Sequence, residues 1–238
     1  MTSSRGLGDV YKRQDNIPQA LLFCGPRGVG KTSCARILAK KINNLEEDFE
    51  YNIFELDAAS NNSVEDIRNI TDQIRIPPQK GRYKVYIIDE VHMLSNQAFN
   101  AFLKSLEEPP EHVVFILATT EKNKILPTIL SRCQIYDFKK VDNKSITNLL
   151  IKICEEKKIK HQDGSLLLIA ERSDGSIRDS LSIFDRLVSF TNSNLTLDEV
   201  TSNLNILDFN TYFNFSELIK GKDITGILHL YDEIYNKG

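Results

Sequence analysis

A chain of 238 residues, 41% of them hydrophobic, is long enough to bury one large core or two small ones. Its formal net charge of −3 excludes a uniformly basic, nucleic-acid-coating surface and confines any contact with DNA to local patches. Cys24, Cys34, Cys133 and Cys154 lie far apart with no C-x-x-C pair, which argues against a zinc knuckle and against a secreted disulfide framework. No apolar stretch approaches the length of a membrane span and the N-terminus lacks the apolar core of a signal peptide, so the chain is read as cytoplasmic, with no membrane partner.

Met1 to Gln14 show neither the helical nor the strand period and present no apolar face. They resemble translated adapter sequence at the ends of assembled gene fragments and are expected to be a non-native leader, a flexible native tail being the alternative. From Asp15 onward, apolar strands alternate with helical patterns, which predicts an α/β fold with a parallel sheet. The strand candidates are Ala20–Cys24, Ile53–Asp57, Lys84–Asp89, Val113–Thr119 and Gln134–Phe138. Between them, Val64, Ile67, Ile70 and Ile74 form one helical stripe, ended by Pro77-Pro78; Ala98, Phe99, Phe102, Leu103 and Leu106 form another, ended by Pro109-Pro110. Beyond about Lys140 the strand signal stops. Ile146, Leu149, Leu150 and Ile153, then Leu166 to Ala170, then Leu181 to Val188 predict a small helical domain, with the polar segment from Thr191 to Asn194 as a linker or loop before more helix.

The first chemical motif joins the first strand to the helical pattern that begins at Lys31. Gly25-Pro26-Arg27-Gly28-Val29-Gly30-Lys31-Thr32 is a complete G-x-x-x-x-G-K-[ST] phosphate-binding loop. Its glycines let backbone N–H groups converge on phosphates, Lys31 brings a positive charge to the β and γ groups, and the Thr32 hydroxyl can ligate Mg²⁺. These eight residues and the adjoining Ser33 are the candidate nucleotide-binding set; a purely structural glycine turn is the alternative.

Val85-Tyr86-Ile87-Ile88-Asp89-Glu90 is an apolar strand ending in two carboxylates. Ligands of open α/β sheets bind at such strand ends. Asp89 is expected to hold Mg²⁺, directly or through water, and Glu90 to polarise the attacking water. His92 follows in Asp-Glu-Val-His and invites a metal or helicase-box reading, against which stands a capping or solvent-exposed histidine. Thr120, at the end of Leu117-Ala118-Thr119-Thr120, could orient the water or sense a γ-phosphate. Arg132, in Ile129-Leu130-Ser131-Arg132-Cys133 after a short helix beginning near Pro127, is either a surface ion-pair residue or an arginine finger reaching a neighbouring subunit's nucleotide.

This ordered set resembles the gamma/tau family of bacterial DNA polymerase III, the motor of the sliding-clamp loader. Gly25 to Thr32, Glu55 to Asn62, Tyr86 to Leu94, Phe99 to His112, Phe115 to Glu121, Thr128 to Gln134 and Gly175 to Ser180 all look like that family's blocks. The resemblance implies a P-loop AAA+ ATPase domain over 15–140 with a five-stranded parallel sheet, an all-α lid over 141–203, and the start of a helical collar or oligomerisation domain over 204–238. It implies ATP and Mg²⁺ as cofactors, Thr120 as the first nucleotide sensor, Arg132 as a finger acting in trans, and Arg178 as a lid arginine contacting nucleotide in cis. Read from the residues alone, Arg178 is only a cation near a helix N-terminus.

The implied function is an ATP-driven motor subunit that opens a ring-shaped clamp and loads it on primer-template DNA, with other loader subunits, the clamp and DNA as partners. Such subunits are classed with their holoenzyme as DNA-directed DNA polymerase, although no polymerase site is visible. Asn61, Asn62 and Ser63, before a helix whose free N–H groups could receive a phosphate, are possible DNA contacts, and Lys104 is carried as another; Glu65 and Asp66 equally suit ordinary capping there.

The chain departs from the family pattern in three places. The segment that leads into the phosphate loop and carries part of the adenine pocket is replaced by Met1 to Gln14. The interval from Asn43 to Tyr51 is short, acidic and free of cysteine where many members insert a zinc module, so no zinc is expected. The sequence stops at Gly238, within what resembles the beginning of the collar, as an N-terminal fragment would. Two rival readings are a nucleic-acid helicase, which would need a second ATPase-like lobe, and a non-hydrolysing loader scaffold, which would keep Ser-Arg-Cys and lose the phosphate loop.

Overall fold

The computed structural model describes residues 17–43, 52–79, 81–191, 194–204 and 209–236, with the side chains of 209–212 and 233–236 left aside. The expected leader over Met1–Gln14 and nearly all of the interval expected to lack a zinc module lie outside the described residues. The chain divides into two units, Met1–Lys140 and Val141–Gly238.

The first unit is built on β1 (Ala20–Cys24), β2 (Ile53–Asp57), β3 (Lys84–Asp89), β4 (Val113–Thr119) and β5 (Gln134–Asp137). They pair in parallel in the order β2-β3-β4-β1-β5. β1 and β4 are buried along their whole length, which is why they read as unbroken apolar runs rather than alternating ones. β5, expected to reach Phe138, ends one residue earlier; the Phe138 N–H still donates to the Cys24 carbonyl at 2.6 Å.

Alternate residues of each central strand feed opposite faces of the sheet. On one face Leu21, Phe23, Val85, Ile87, Val114 and Ile116 meet Ala35, Leu38 and Ala39 of α1 (Lys31–Asn43). On the other, Leu22, Tyr86, Ile88, Phe115 and Leu117 meet Ile67 and Ile74 of α2 (Val64–Ile74) and Ala98, Phe99, Phe102 and Leu106 of α3 (Asn96–Glu107). Each large side chain so buried contributes roughly 1.5–3 kcal/mol. Phe102 and Phe115 meet edge to face with ring centroids 5.1 Å apart. Ser95 starts α3 by accepting the Ala98 N–H at 3.2 Å. A short α4 (Pro127–Leu130) begins on proline, whose missing N–H costs nothing at a first helical position.

The second unit contains α5 (Asn143–Lys157), α6 (Ser165–Arg172), α7 (Ile177–Phe190), α8 (Leu197–Asn203), α9 (Phe209–Lys220) and α10 (Ile224–Asn236). Ile146, Leu150 and Cys154 of α5 pack with Leu166 and Ile169 of α6 and Phe184 and Leu187 of α7. One detail differs from the purely helical pattern expected beyond Lys140. Lys160–His161 (β6) and Asn194–Leu195 (β7) pair in parallel, so the end of the polar segment expected to be a loop is a strand. Two residues are too few for a period-2 pattern, and the pairing is fixed by tertiary burial of Leu195. No described helix is long and apolar enough to cross a membrane.

Candidate active site

The strand order places the carboxyl ends of β1, β4 and β3 side by side, and the phosphate-loop sequence leaves the first of them. Its opening residue is tied to the middle strand: the Gly25 N–H donates to the Thr119 carbonyl at 3.2 Å. A Cβ on Gly25, whose φ is +153°, would collide with the Phe138 carbonyl oxygen. Gly30 needs glycine for another reason. Nothing lies within 4 Å of where its Cβ would stand, but its φ of +95° is in the left-handed region that side chains rarely adopt.

Lys31 opens α1 and is only 6% exposed. Its ammonium donates to the Gly25 and Pro26 carbonyls, each at 2.8 Å. Burial pulls its pKa below the ordinary lysine value, while the nearby carboxylates of Glu90 and Asp89 act in the opposite direction. The Thr32 hydroxyl donates to Asp89 Oδ2 at 2.6 Å.

Glu90 follows Asp89 with φ +46° and ψ +43°, a left-handed conformation that costs a non-glycine residue on the order of 1–3 kcal/mol. It is held there from both sides. Its N–H donates to Asp89 Oδ1 at 2.9 Å, and its Oε2 accepts the Thr120 N–H at 3.1 Å and the Thr120 hydroxyl at 3.0 Å. Lys31, Thr32, Asp89, Glu90 and Thr120 are thus brought together at three adjoining strand ends.

His92 departs from the capping or solvent-exposed histidine expected for it. Its side chain is 6% exposed, with Nδ1 3.0 Å from Thr119 Oγ1 and 3.3 Å from Glu90 Oε2, and Nε2 3.4 Å from Glu121 Oε1. The cause is local: the left-handed Glu90 starts a 3₁₀ turn over Val91–Met93 that swings the ring back onto the end of β4. Glu121 accepts from Lys124 at 2.8 Å, and this hydrogen bond holds its carboxyl below the usual glutamate range. The parts of Thr119, Glu121 and the buried imidazole carried no sequence signal, since only the sheet order shows that β3 and β4 end next to each other.

The remaining candidates lie elsewhere. Pro26, Arg27 and Ser33 are exposed around the loop, while Val29 is buried beneath it. Arg132, just after α4, donates to the Thr128 carbonyl at 2.6 Å and to Glu107 Oε1 at 2.9 Å. Asn61 donates from its amide to the Asp57 carbonyl at 3.1 Å. Ser63 is engaged in a capping box: its hydroxyl accepts the Asp66 N–H at 3.2 Å and donates to Asp66 Oδ2 at 2.6 Å, while its own N–H reaches that oxygen at 3.2 Å. The ordinary capping alternative therefore describes Ser63 and Asp66. Asn62 and Lys104 are exposed, the latter on α3. Arg178 is exposed in the first turn of α7, in the second unit.

The family model for DNA polymerase III, delta subunit, matches residues 44–142, and that for the DNA polymerase III clamp loader subunit, ATPase lid domain, matches residues 145–193. DNA polymerase III subunit tau of Bacillus subtilis is 40% identical over 94% of this chain and 43% of its own length. The chain belongs to the DNA polymerase III gamma/tau family. The chain is 39% identical to tau of Escherichia coli, over 93% of this chain and 37% of that one, and 37% identical to gamma of Buchnera aphidicola from Acyrthosiphon pisum, over 93% and 66%. It therefore spans about two fifths of the length of its tau relatives.

Among solved structures, the Thermotoga maritima RuvB Holliday junction branch migration motor matches with a TM-score of 0.67 at 20% identity, over 93% of this chain and 75% of that one. A DNA polymerase III gamma subunit-related protein of the same organism matches with a TM-score of 0.52 at 21% identity, over 98% and 77%. These likenesses show the fold alone; together with the matched ATPase lid domain they make it an α/β P-loop AAA+ ATPase fold. Membership in this ATPase family carries nucleotide binding with it.

Proposed function

We propose that this chain contains the ATP-driven motor of a clamp loader, using ATP hydrolysis to open the sliding clamp and load it on primer-template DNA in the cytoplasm. The observation that carries this reading is the convergence of Lys31, Thr32, Asp89 and Glu90 at adjoining strand ends. The domains that follow from it are an ATPase domain over 15–140, a lid over 141–203 and the start of a collar over 204–238.

The donor set suits a hard cation: a hydroxyl and a carboxylate oxygen 2.6 Å apart, Thr32 and Asp89, are the kind of oxygen ligands that Mg²⁺ takes. When bound, Mg²⁺ neutralises charge on the β- and γ-phosphates. The backbone N–H groups of Arg27 to Thr32, with Ser33 beside them, cradle the phosphates. Lys31 exchanges its two carbonyl partners for phosphate oxygens. Glu90 orients the attacking water and accepts its proton as the water oxygen bonds to the γ-phosphorus and the bond to the β-phosphate oxygen breaks, releasing ADP and phosphate. Thr120 reports on the γ-phosphate, Arg178 reaches the nucleotide from the lid, and Arg132 reaches the γ-phosphate of a neighbouring subunit. Asn61, Asn62 and Lys104 are the remaining DNA contacts of the proposal, Ser63 being occupied in its cap. No zinc module is part of it.

The test uses the full-length protein assembled with its partner loader subunits, measuring phosphate release and clamp loading with and without clamp and primer-template DNA. ATP-dependent loading, with hydrolysis stimulated by clamp and DNA, is expected. Tight ATP binding with no hydrolysis under any of these conditions would overturn the motor reading in favour of a scaffold. Metal analysis of the same protein should find no stoichiometric zinc, and one zinc per chain would remove that part.

A further inference from the structure

A polar cluster behind Glu90 is left without a task by the roles above. The His92 ring is nearly enclosed, and a buried imidazole is costly unless its nitrogens find partners. Here both do. Nδ1 faces Thr119 Oγ1 at 3.0 Å and Glu90 Oε2 at 3.3 Å, and Nε2 faces Glu121 Oε1 at 3.4 Å. Thr119 is itself fully buried, and its hydroxyl accepts the Glu121 N–H at 3.0 Å. The ring is therefore fixed against the end of β4, and the carboxylate oxygen it approaches is the one that takes both Thr120 hydrogen bonds.

We infer that His92 is a positioning residue for Glu90. Glu90 leaves β3 in a left-handed conformation that persists only where the surroundings hold it, and the turn beginning at Glu90 carries His92. Locked against Thr119 and Glu121, the imidazole sets the direction in which the Glu90 carboxylate points and its alignment with Thr120. The inference rests on the reading of Glu90 as the group that orients the attacking water. None of the His92 polar contacts named above involves the phosphate loop or the Thr32–Asp89 pair, so its action is on the chemical step and not on nucleotide binding. Misplacing a reacting group by about 1 Å can cost roughly 10²-fold in rate.

Two polar substitutions separate the two edges of the ring in the full-length, assembled protein. His92→Asn carries a nitrogen where Nδ1 stood, and His92→Gln carries one where Nε2 stood. His92→Gln should lower kcat by ~10-fold or more, His92→Asn should keep it within about threefold, and both should leave the KM for ATP within about threefold. In a Glu90→Gln background, His92→Gln should cause no further loss, because a residue acting through Glu90 has nothing left to position. Unchanged kcat in His92→Gln, equal losses in the two variants, or additive losses in the double variant would overturn the inference while leaving the Glu90 reading intact. Full hydrolysis by Glu90→Gln alone would overturn the Glu90 reading itself.

Discussion

The Thr32 hydroxyl donates to Asp89 at 2.6 Å, joining the first turn of α1 to the end of β3 across 57 positions of sequence. The bond leaves both oxygens in one place, and the carboxylate supplies the charge a divalent cation needs. Asp89→Asn keeps the shape and removes the charge. Nucleotide affinity measured without Mg²⁺ should change by less than about threefold, while Mg²⁺-supported hydrolysis should fall ~100-fold, a loss of about 2.7 kcal/mol in transition-state stabilisation. A Mg²⁺ titration of phosphate release checks this; an unchanged titration curve would remove Asp89 from the cation site.

Lys31 makes the equivalent argument for the phosphates. Two charge-assisted hydrogen bonds at about 1.5–3 kcal/mol each place the loss in Lys31→Ala at ~100-fold or more in nucleotide affinity, read by titration with a fluorescent nucleotide. The pH dependence has a definite sign. Burial lowers the folded-state pKa from 10.5, so between the folded and the ordinary value the unfolded chain holds the extra proton. Stability of the nucleotide-free protein therefore gains from this group as pH rises through that window, and nucleotide affinity, which needs the ammonium, declines over the same window. Affinity that holds constant up to pH ~10.5 would contradict the lowered pKa.

The phosphate loop and the β3 carboxylates were legible because their chemistry is local: eight consecutive residues for the first, an apolar strand with acids at its tip for the second. The five strands of the main sheet were legible for the same reason: β1, β3 and β4 are short apolar runs, and short apolar stretches between turn signals mark β2 and β5. His92 was not, because its burial depends on β4 lying beside β3, a relation of residues 27 positions apart. The bidentate ion pair of Arg36 with Glu55, at 2.8 and 2.6 Å, escaped for that reason too. The β6–β7 pair was invisible because two-residue strands have no period to read.

The packing of the first unit makes a stability contrast that involves no ligand. Phe102 is fully buried on α3 against Phe115, whereas Ile76, just beyond α2, is 58% exposed. Phe102→Ala should cost roughly 3–5 kcal/mol through lost transfer energy and a residual cavity. Ile76→Ala should stay within about 0.5 kcal/mol. Urea unfolding of the two variants, followed by a probe in the first unit, measures both. A small loss for Phe102→Ala would mean that the core closes over the cavity.

Arg132 tests whether the active site is shared between subunits. Within this chain its guanidinium is paired with Glu107 at 2.9 Å, but the two side chains are 36% and 48% exposed, so the pair is worth at most about 1 kcal/mol. A phosphate of a nucleotide on a neighbouring subunit, offering more charge and bidentate geometry, can take the guanidinium from Glu107 at little cost. Arginine fingers contribute roughly 10³–10⁵ in rate to nucleotide hydrolysis. Arg132→Ala should therefore leave ATP affinity within about threefold and suppress hydrolysis in the assembled loader by ~10³. Arg132→Lys should rescue little, because an ammonium lacks the planar fork. Comparing nucleotide titration with steady-state phosphate release on the same assembled samples decides the matter. Equal losses of binding and hydrolysis would mean that Arg132 supports the nucleotide site of its own chain or the fold around it.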